Sequence, residues 1–260
     1  MRKGSYVSKH HFERVAHRGA SGEAPENTLE AIRIAVEKYR VDRVEVDLCL
    51  TRDGVPVIFH DEILDRTTNG KGVVSEFTLE ELKRLDAGFH FDPAARGAFP
   101  FRGKGVKIPT LEALLHEFPQ TGFFLEIKDR GREIGRKILE VVERSGGNSR
   151  FVVGSFHGPT MRAFRRLAEG KVETFLAEDE VIFAYLVWKL GFKKFKMPGR
   201  FASLPRAKFG FPLDSASWIE FLHRQGVRVY FWTVNERSEM EELVRRGADG
   251  LITDYPDRLN

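Results

Sequence analysis

Apolar runs of strand character alternate with helical patterns along nearly all of this 260-residue chain, and that rhythm leaves few folds open. Strands are expected near 14–17, 44–48, 55–60, 123–127, 151–155, 173–177, 201–204, 227–232 and 250–253. Helices are expected near 28–39, 111–118, 132–145, 159–168, 180–190, 215–225 and 238–246. Leu111, Leu114, Leu115 and Phe118 give the i, i+3, i+4, i+7 stripe of a half-buried helix. Ser238 with Glu241, and Asn27 with Glu30, read as capping boxes, and Gly247 reads as a helix stop. Nine strands are one too many for a (β/α)8 barrel. Thr51-Arg52-Asp53-Gly54 removes the excess, because it is far too short for a parallel crossover and Asp-Gly is a hairpin signal. The strand at 55–60 therefore runs antiparallel to 44–48, and eight parallel candidates remain. Residues 61–107 break the rhythm and read as an insertion, within a single domain spanning 1–260.

Several of these strands carry acids on one face and aliphatics on the other. Side chains alternate along a strand, so Glu45 and Asp47 share a face opposite Val44, Val46 and Leu48, and Glu126 and Lys128 oppose Leu125 and Ile127. Inward carboxylates are costly unless a cation neutralises them. In a barrel the C-terminal strand ends meet at one rim, where active sites sit. His17, Glu45, Asp47, Glu126 and Lys128 all fall at such ends. The hairpin brings His60 back to the same rim, beside Glu45 if positions equidistant from the turn pair.

Oxygen-only ligands from Glu45, Asp47 and Glu126 favour a hard cation, Mg2+ or Ca2+. Zinc, taking the histidines as ligands, is the competing reading. Three carboxylates and a divalent cation leave one negative charge. Lys128 and Arg18 turn that to one positive, which a phosphodiester monoanion cancels. Hydrolysis of such an ester needs a deprotonated nucleophile and a protonated leaving group, tasks that two histidines on one rim can divide.

The motifs resemble those of the glycerophosphodiester phosphodiesterase family in order. They are His17-Arg18-Gly19, Pro25-Glu26-Asn27-Thr28, Glu45-Val46-Asp47, Thr51-Arg52-Asp53-Gly54, His60-Asp61 and Asp65-Arg66-Thr67-Thr68-Asn69-Gly70. Leu125-Glu126-Ile127-Lys128, Trp232-Thr233-Val234-Asn235, Gly247-Ala248-Asp249-Gly250 and Thr253-Asp254 follow. The resemblance implies a distorted (β/α)8 TIM-type barrel with a small insertion after the His60 motif. It implies hydrolysis of glycerophosphodiesters to an alcohol and glycerol 3-phosphate with one divalent cation, Ca2+ or Mg2+. By that resemblance His17 and His60 are general acid and base, and Glu45, Asp47 and Glu126 hold the metal. Arg18 and Lys128 bind phosphate, and Trp232 lines the substrate pocket. Attack by a hydroxyl of the substrate, through a cyclic phosphate, is the first step it suggests.

Other features bear on the substrate and the setting. Val181 to Phe192 is nearly all apolar, and Lys193, Lys194, Lys196, Arg200, Arg206 and Lys208 follow with no acid before Asp214. An ordinary barrel helix with a solvated loop explains this. So does a peripheral membrane contact through 181–208, which would make the enzyme a lysophospholipase D. A non-catalytic anion or nucleic-acid binder would leave the acids unexplained, so no nucleic-acid partner is expected. The basic N-terminus, Met1 to Arg14, lacks the apolar core of a secretory signal, and no run reaches the roughly 18 apolar residues of a membrane span. A cytoplasmic location is expected by elimination. The single cysteine, Cys49, excludes an intrachain disulfide. His10, His11, His90, His116, His157 and His223 lack acidic company at strand or helix spacing and read as surface residues.

Overall fold

The computed structural model describes residues 11–131, 133–146 and 148–259. Its strands are β1 (Glu13–His17), β2 (Arg43–Leu50), β3 (Pro56–Ile58), β4 (Gly122–Ile127), β5 (Phe151–Gly154), β6 (Glu173–Thr174), β7 (Phe201–Leu204), β8 (Ala207–Lys208), β9 (Phe211–Pro212), β10 (Arg228–Phe231) and β11 (Gly250–Thr253). Its helices are α1 (Leu29–Arg33), continued by a wider π-helical turn over Ile34–Lys38, α2 (Leu79–Lys83), α3 (Leu111–Glu117), α4 (Glu133–Arg144), α5 (Gly158–Ala168), α6 (Glu178–Lys189), α7 (Ala216–Arg224) and α8 (Arg237–Arg246). No helix among the described residues is long and apolar enough to cross a membrane.

Eight strands lie parallel in the order β6-β5-β4-β2-β1-β11-β10-β7. A parallel bridge from Phe175 to Phe201 brings the two ends together, and Leu176 N donates to Phe201 O at 2.7 Å, so the barrel is nearly closed. β3 runs antiparallel to β2 as expected, with Leu48 opposite Ile58 and Leu50 opposite Pro56. That register differs from the expectation for His60. Phe59 N donates to Asp47 O, so His60 follows the residue that faces Asp47 and does not pair with Glu45.

Two caps also differ. Thr28, not Asn27, caps α1: its hydroxyl accepts from Ala31 N, while Asn27 sits at φ +58 with its side chain turned to the barrel rim. α8 begins before Ser238, because the Glu236 carbonyl already accepts from Met240 N. The capping box of Thr78 and Glu81 on α2 and the Gly247 stop are present.

Strand alternation sorts the side chains as anticipated. Val44, Val46, Leu48, Leu125, Ile127 and Val153 point outward into a core with Leu111 and Leu114 of α3, Ile134 and Ile138 of α4 and Phe164 of α5. Inside the barrel, Phe124, Phe175, Phe201 and Tyr230 pack with Val15, Val152 and Ile252. The Phe124 ring lies edge-on to Phe175 and Tyr230 at 4.8 and 5.0 Å. Burying each such ring contributes about 1.5–3 kcal/mol. This plug fills the lower barrel, and the polar positions one step further along β1, β2, β4, β7 and β10 form a cavity above it.

Residues 61–107 gather over the β3 side on a small core of Val57, Phe59, Leu64, Val74, Leu82, Val106 and Ile108. The segment positions Arg66 toward the rim.

Candidate active site

All eight side chains singled out in the sequence line one cavity of about 180 Å³: His17, Arg18, Glu45, Asp47, His60, Glu126, Lys128 and Trp232. Phe124 and Phe175 of the plug form part of its floor.

Each imidazole is held by a carboxylate. His17 Nδ1 lies 2.6 Å from Asp254 Oδ1, and His60 Nδ1 lies 2.6 Å from Asp61 Oδ1. An ionised carboxylate can only accept, so Nδ1 donates in both pairs and Nε2 is left for chemistry. Burial opposes the charge on Asp254, but the His17 hydrogen bond and charge, with Asn235 and Ser21, depress its pKa to about 2. Asn235 Nδ2 and Ser21 Oγ donate to it at 2.8 and 2.9 Å. The two histidines are driven apart. Burial pulls the His17 pKa down, but Asp254 and Glu45 outweigh it and the net shift is upward. At His60 burial prevails over Asp47 and Asp61, and the net shift is downward.

The acids divide as well. Asp47 is surrounded by positive and donor groups: Lys128 Nζ and Arg18 Nε each approach within 3.0 Å, and Asn27 Nδ2 donates at 2.8 Å. Burial favours its neutral form, but Lys128 and Arg18 hold its pKa below the usual carboxylate range. Glu45 and Glu126 are less well compensated. Burial and the neighbouring Asp47 charge push Glu45 up to about 7. Burial, against Lys128 and with the charges of Glu45 and Asp47, pushes Glu126 up to about 8.

Among the described residues, no group of three or more His, Cys, Asp or Glu side chains is arranged to hold a metal ion. The expected trio therefore does not stand as a finished ligand set, because Asp47 is drawn to Lys128 and Arg18. The donor chemistry still suits a hard cation. Two oxygen acids with raised pKa values, Glu45 buried and Glu126 half-buried, face one cavity, which marks a place short of positive charge.

The backbone that carries these groups is sharply folded. Arg18 lies at φ +57 and Gly19 at φ +86, and a Cβ on Gly19 would fall 2.6 Å from the Ala31 backbone. Only glycine fits there. The loop then brings Asn27 beside Asp47, where Asn27 Oδ1 also accepts from Asp47 N at 3.2 Å. Asn27 is thus part of the rim and not the helix cap. A charged network continues outward: Arg18 NH1 meets Glu26 at 2.8 Å, and Arg66 binds both Glu26 and Asp61.

Asp254, Asp61, Arg66 and Asn235 stand within the sequence motifs, which by themselves assign them no role. Asp254 was accessible in principle, since β11 pairs with β1 to close the barrel and Ala16 is level with Thr253. Phe156 lies in none of the motifs. Its N–H donates to Glu126 Oε1 at 3.2 Å, and its ring lies 5.4 Å from Trp232.

Among the other histidines, His11 is 80% exposed beside Asp42, and His90 and His116 are exposed as expected. His223 is not a surface residue: its Nε2 lies 2.7 Å from Asp249, which tertiary packing of α7 against β10 brings beneath it. His157 is partly buried against Thr160 and outside the cavity. His10 lies outside the described residues, as does much of the basic N-terminus.

A model of the glycerophosphoryl diester phosphodiesterase family matches residues 17–258. A glycerophosphodiester phosphodiesterase of Caldanaerobacter subterraneus subsp. tengcongensis is 31% identical over 250 residues, which are 94% of this chain and 95% of that one. A lysophospholipase D of Mus musculus is 31% identical over 278 residues, 94% of this chain and 80% of that one. The structure of an Oleispira antarctica phosphodiesterase in complex with the product sn-glycerol-3-phosphate matches with a TM-score of 0.78 and 26% identity, over 95% of this chain and 94% of that one. From His17 at the start of the barrel to the residues just after β11, the chain belongs to the glycerophosphoryl diester phosphodiesterase family and is a hydrolase of that family.

Proposed function

We propose that the chain hydrolyses glycerophosphodiesters to an alcohol and glycerol 3-phosphate in the rim cavity, by general acid–base catalysis between His17 and His60 with one divalent cation, Ca2+ or Mg2+. One observation carries the reading: two imidazoles line a single cavity with buried acids and Lys128, each oriented by a carboxylate at Nδ1.

His60, the less basic of the two, takes the proton of the attacking hydroxyl at Nε2 as the new P–O bond forms. His17, kept protonated by Asp254 and Glu45, gives a proton to the leaving alkoxide from Nε2 as the old P–O bond breaks. When the attacking group is the neighbouring hydroxyl of the substrate, a cyclic phosphate results. Water then opens it with the two roles exchanged. Lys128 and Arg18 remain charged beside the phosphate oxygens, where their donors suit an anion. Glu45 and Glu126, with Asp47, would hold the cation, which when bound polarises a non-bridging phosphate oxygen. Trp232 and Phe156 wall the substrate side, and 61–107 acts as an insertion that steadies His60 through Arg66 and Asp61.

The test is steady-state hydrolysis of glycerophosphocholine. His17→Ala and His60→Ala should each lose at least about 10² in rate. Chelation with EDTA should abolish turnover, and Ca2+ or Mg2+ should restore it. Near-normal turnover by either variant refutes the acid–base pair, and activity indifferent to chelation refutes the cation.

A further inference from the structure

Of the eleven exposed large apolar side chains among the described residues, seven lie between Ile182 and Phe211, so they form a patch and not a scatter. The helix α6 supplies part of it. Ala184, Tyr185 and Val187 are its buried side, while Ile182, Leu186 and, at the helix end, Leu190 follow at four-residue spacing along the solvent side. The β8–β9 hairpin stands next to this stripe, since Phe209 and Phe211 face the same apolar space as Ile182 and Leu186. Phe156, Leu176 and Ser203 border both that space and the catalytic cavity, so the patch adjoins the rim.

The tip of the hairpin carries a second signal. Phe209 and Gly210 form its two-residue turn, at φ +50 and φ +78. A turn that needs a left-handed backbone at both positions selects Asn-Gly or Asp-Gly. Phenylalanine there holds a strained backbone and leaves its ring 75% exposed. Both penalties make sense if the ring is held out for an apolar phase beyond the protein surface. Cations surround it. Lys189, Lys193, Lys194 and Lys196 are exposed and form no ion pair among the described residues, and the chain has no acid between Glu180 and Asp214. Lysine is depleted from protein–protein interfaces. Apolar side chains standing singly on a helix flank and a hairpin tip, interleaved with flexible lysines, suit a fluid anionic surface that needs no shape match.

We propose that α6 and the β8–β9 hairpin form a docking surface for an anionic phospholipid bilayer. Phe209 and Leu186 enter the boundary of the acyl region, and Lys189, Lys193, Lys194 and Lys196 lie among the phosphate head groups. No helix among the described residues is long and apolar enough to span a bilayer, so this contact is peripheral and sensitive to salt. Docking sets the mouth of the catalytic cavity beside the bilayer. It does not depend on the chemistry of the cavity or on which diester is cleaved there.

The test is co-sedimentation of the full chain with vesicles of phosphatidylcholine alone and of an equal mixture with phosphatidylglycerol, at low and at high salt. The chain should partition onto the anionic vesicles at least about ten-fold more strongly than onto the neutral ones, and high salt should remove most of that difference. Phe209→Asn should weaken partitioning at least about ten-fold, the scale of withdrawing one buried aromatic ring. Asparagine suits the left-handed turn position, so this variant should melt no lower than wild type, which separates a lost lipid contact from a damaged fold. Phe209→Trp should bind as well as wild type. Lys193→Gln, Lys194→Gln and Lys196→Gln combined should erase the preference for anionic lipid. Absence of binding to anionic vesicles at low salt overturns the proposal, and so does binding that Phe209→Asn leaves unchanged. A dimer in size-exclusion chromatography that Phe209→Asn dissolves, with no vesicle binding, makes the patch an interface between copies instead. The readout is partitioning and not turnover, so failure here is distinct from failure of the catalytic reading.

Discussion

Replacing Asp254 by asparagine isolates the charge that keeps His17 protonated. The carboxyl falls from its ordinary 3.8 to about 2, despite its partial burial, because His17 and two neutral donors surround it. At about 1.36 kcal/mol per pKa unit, that depression is a differential interaction of about 2 kcal/mol. The group is 28% exposed, so solvent screening leaves most of this in place. Asparagine can still accept from His17 Nδ1, but it cannot also accept from Asn235 on its other side. With the negative charge gone, burial acts on the His17 imidazolium with Glu45 as its chief opponent, and the His17 pKa falls.

Two consequences follow with definite sign. If His17 delivers the proton to the leaving group, the alkaline limb of the kcat/KM–pH profile moves to lower pH, and the rate at neutral pH drops by roughly 30-fold for about 2 kcal/mol. For stability, a depressed carboxylate pKa contributes above the unfolded value of 3.8 and loses that contribution as pH falls through about 2. The variant should therefore unfold more easily than wild type at neutral pH, by up to about 2 kcal/mol, and the gap should close in strong acid. The assay is hydrolysis of glycerophosphocholine between pH 5 and 10, with urea unfolding in parallel. An unmoved alkaline limb with activity within two-fold of wild type would refute the reasoning.

Further changes probe other parts of the account. Gly154→Ala places a Cβ 2.7 Å from Glu126 Oε2 and 3.1 Å from Phe175, so Glu126 must shift. Turnover should fall by about 10–10² with little loss of thermal stability, since small misplacements at a reacting centre are costly; unchanged turnover would detach Glu126 from catalysis. Gly19→Ala must both hold φ +86 and clear the Ala31 backbone at 2.6 Å, and it should cost several kcal/mol in urea titrations. Burial, with the nearby Asp47 and Asp129 charges, pushes the Cys49 thiol up to about 12, so it should resist alkylation at pH 8 until the protein unfolds. Rapid labelling of the native protein would contradict this. Arg66→Met leaves Asp61 and Glu26 without their shared cation. It should lower kcat more than it raises KM, as expected of a residue that positions His60 through Asp61, whereas a pure change in KM would place Arg66 on the substrate.

Much of the barrel was legible because its signals are local. Strand alternation gave the inward acids, and an Asp-Gly turn too short for a crossover identified β3 as antiparallel. What the sequence left obscure depends on register and on competition between partners. His60 lies nearer Asp47 than Glu45 because the hairpin pairs one step differently from a symmetric turn. Asn27 has every local mark of a helix cap, yet the bond to buried Asp47 claims its side chain. Asp254 is remote in sequence from His17 and reaches it only through closure of the barrel. The apolar run at 181–192 fits in sequence either an ordinary barrel helix or a peripheral membrane contact. In the structure Ala184, Tyr185 and Val187 are buried while Ile182, Phe183 and Leu186 remain exposed, and no property of the run itself distinguishes the two outcomes.

The central claim is that phosphate chemistry takes place between His17 and His60, above the buried acids. Crystals of the enzyme with glycerol 3-phosphate and Mn2+, an anomalous scatterer standing in for Mg2+, test it most directly. The account predicts the phosphorus within reach of both Nε2 atoms and an anomalous peak against Glu45 and Glu126. Phosphate density elsewhere, or a peak away from those carboxylates, would contradict it.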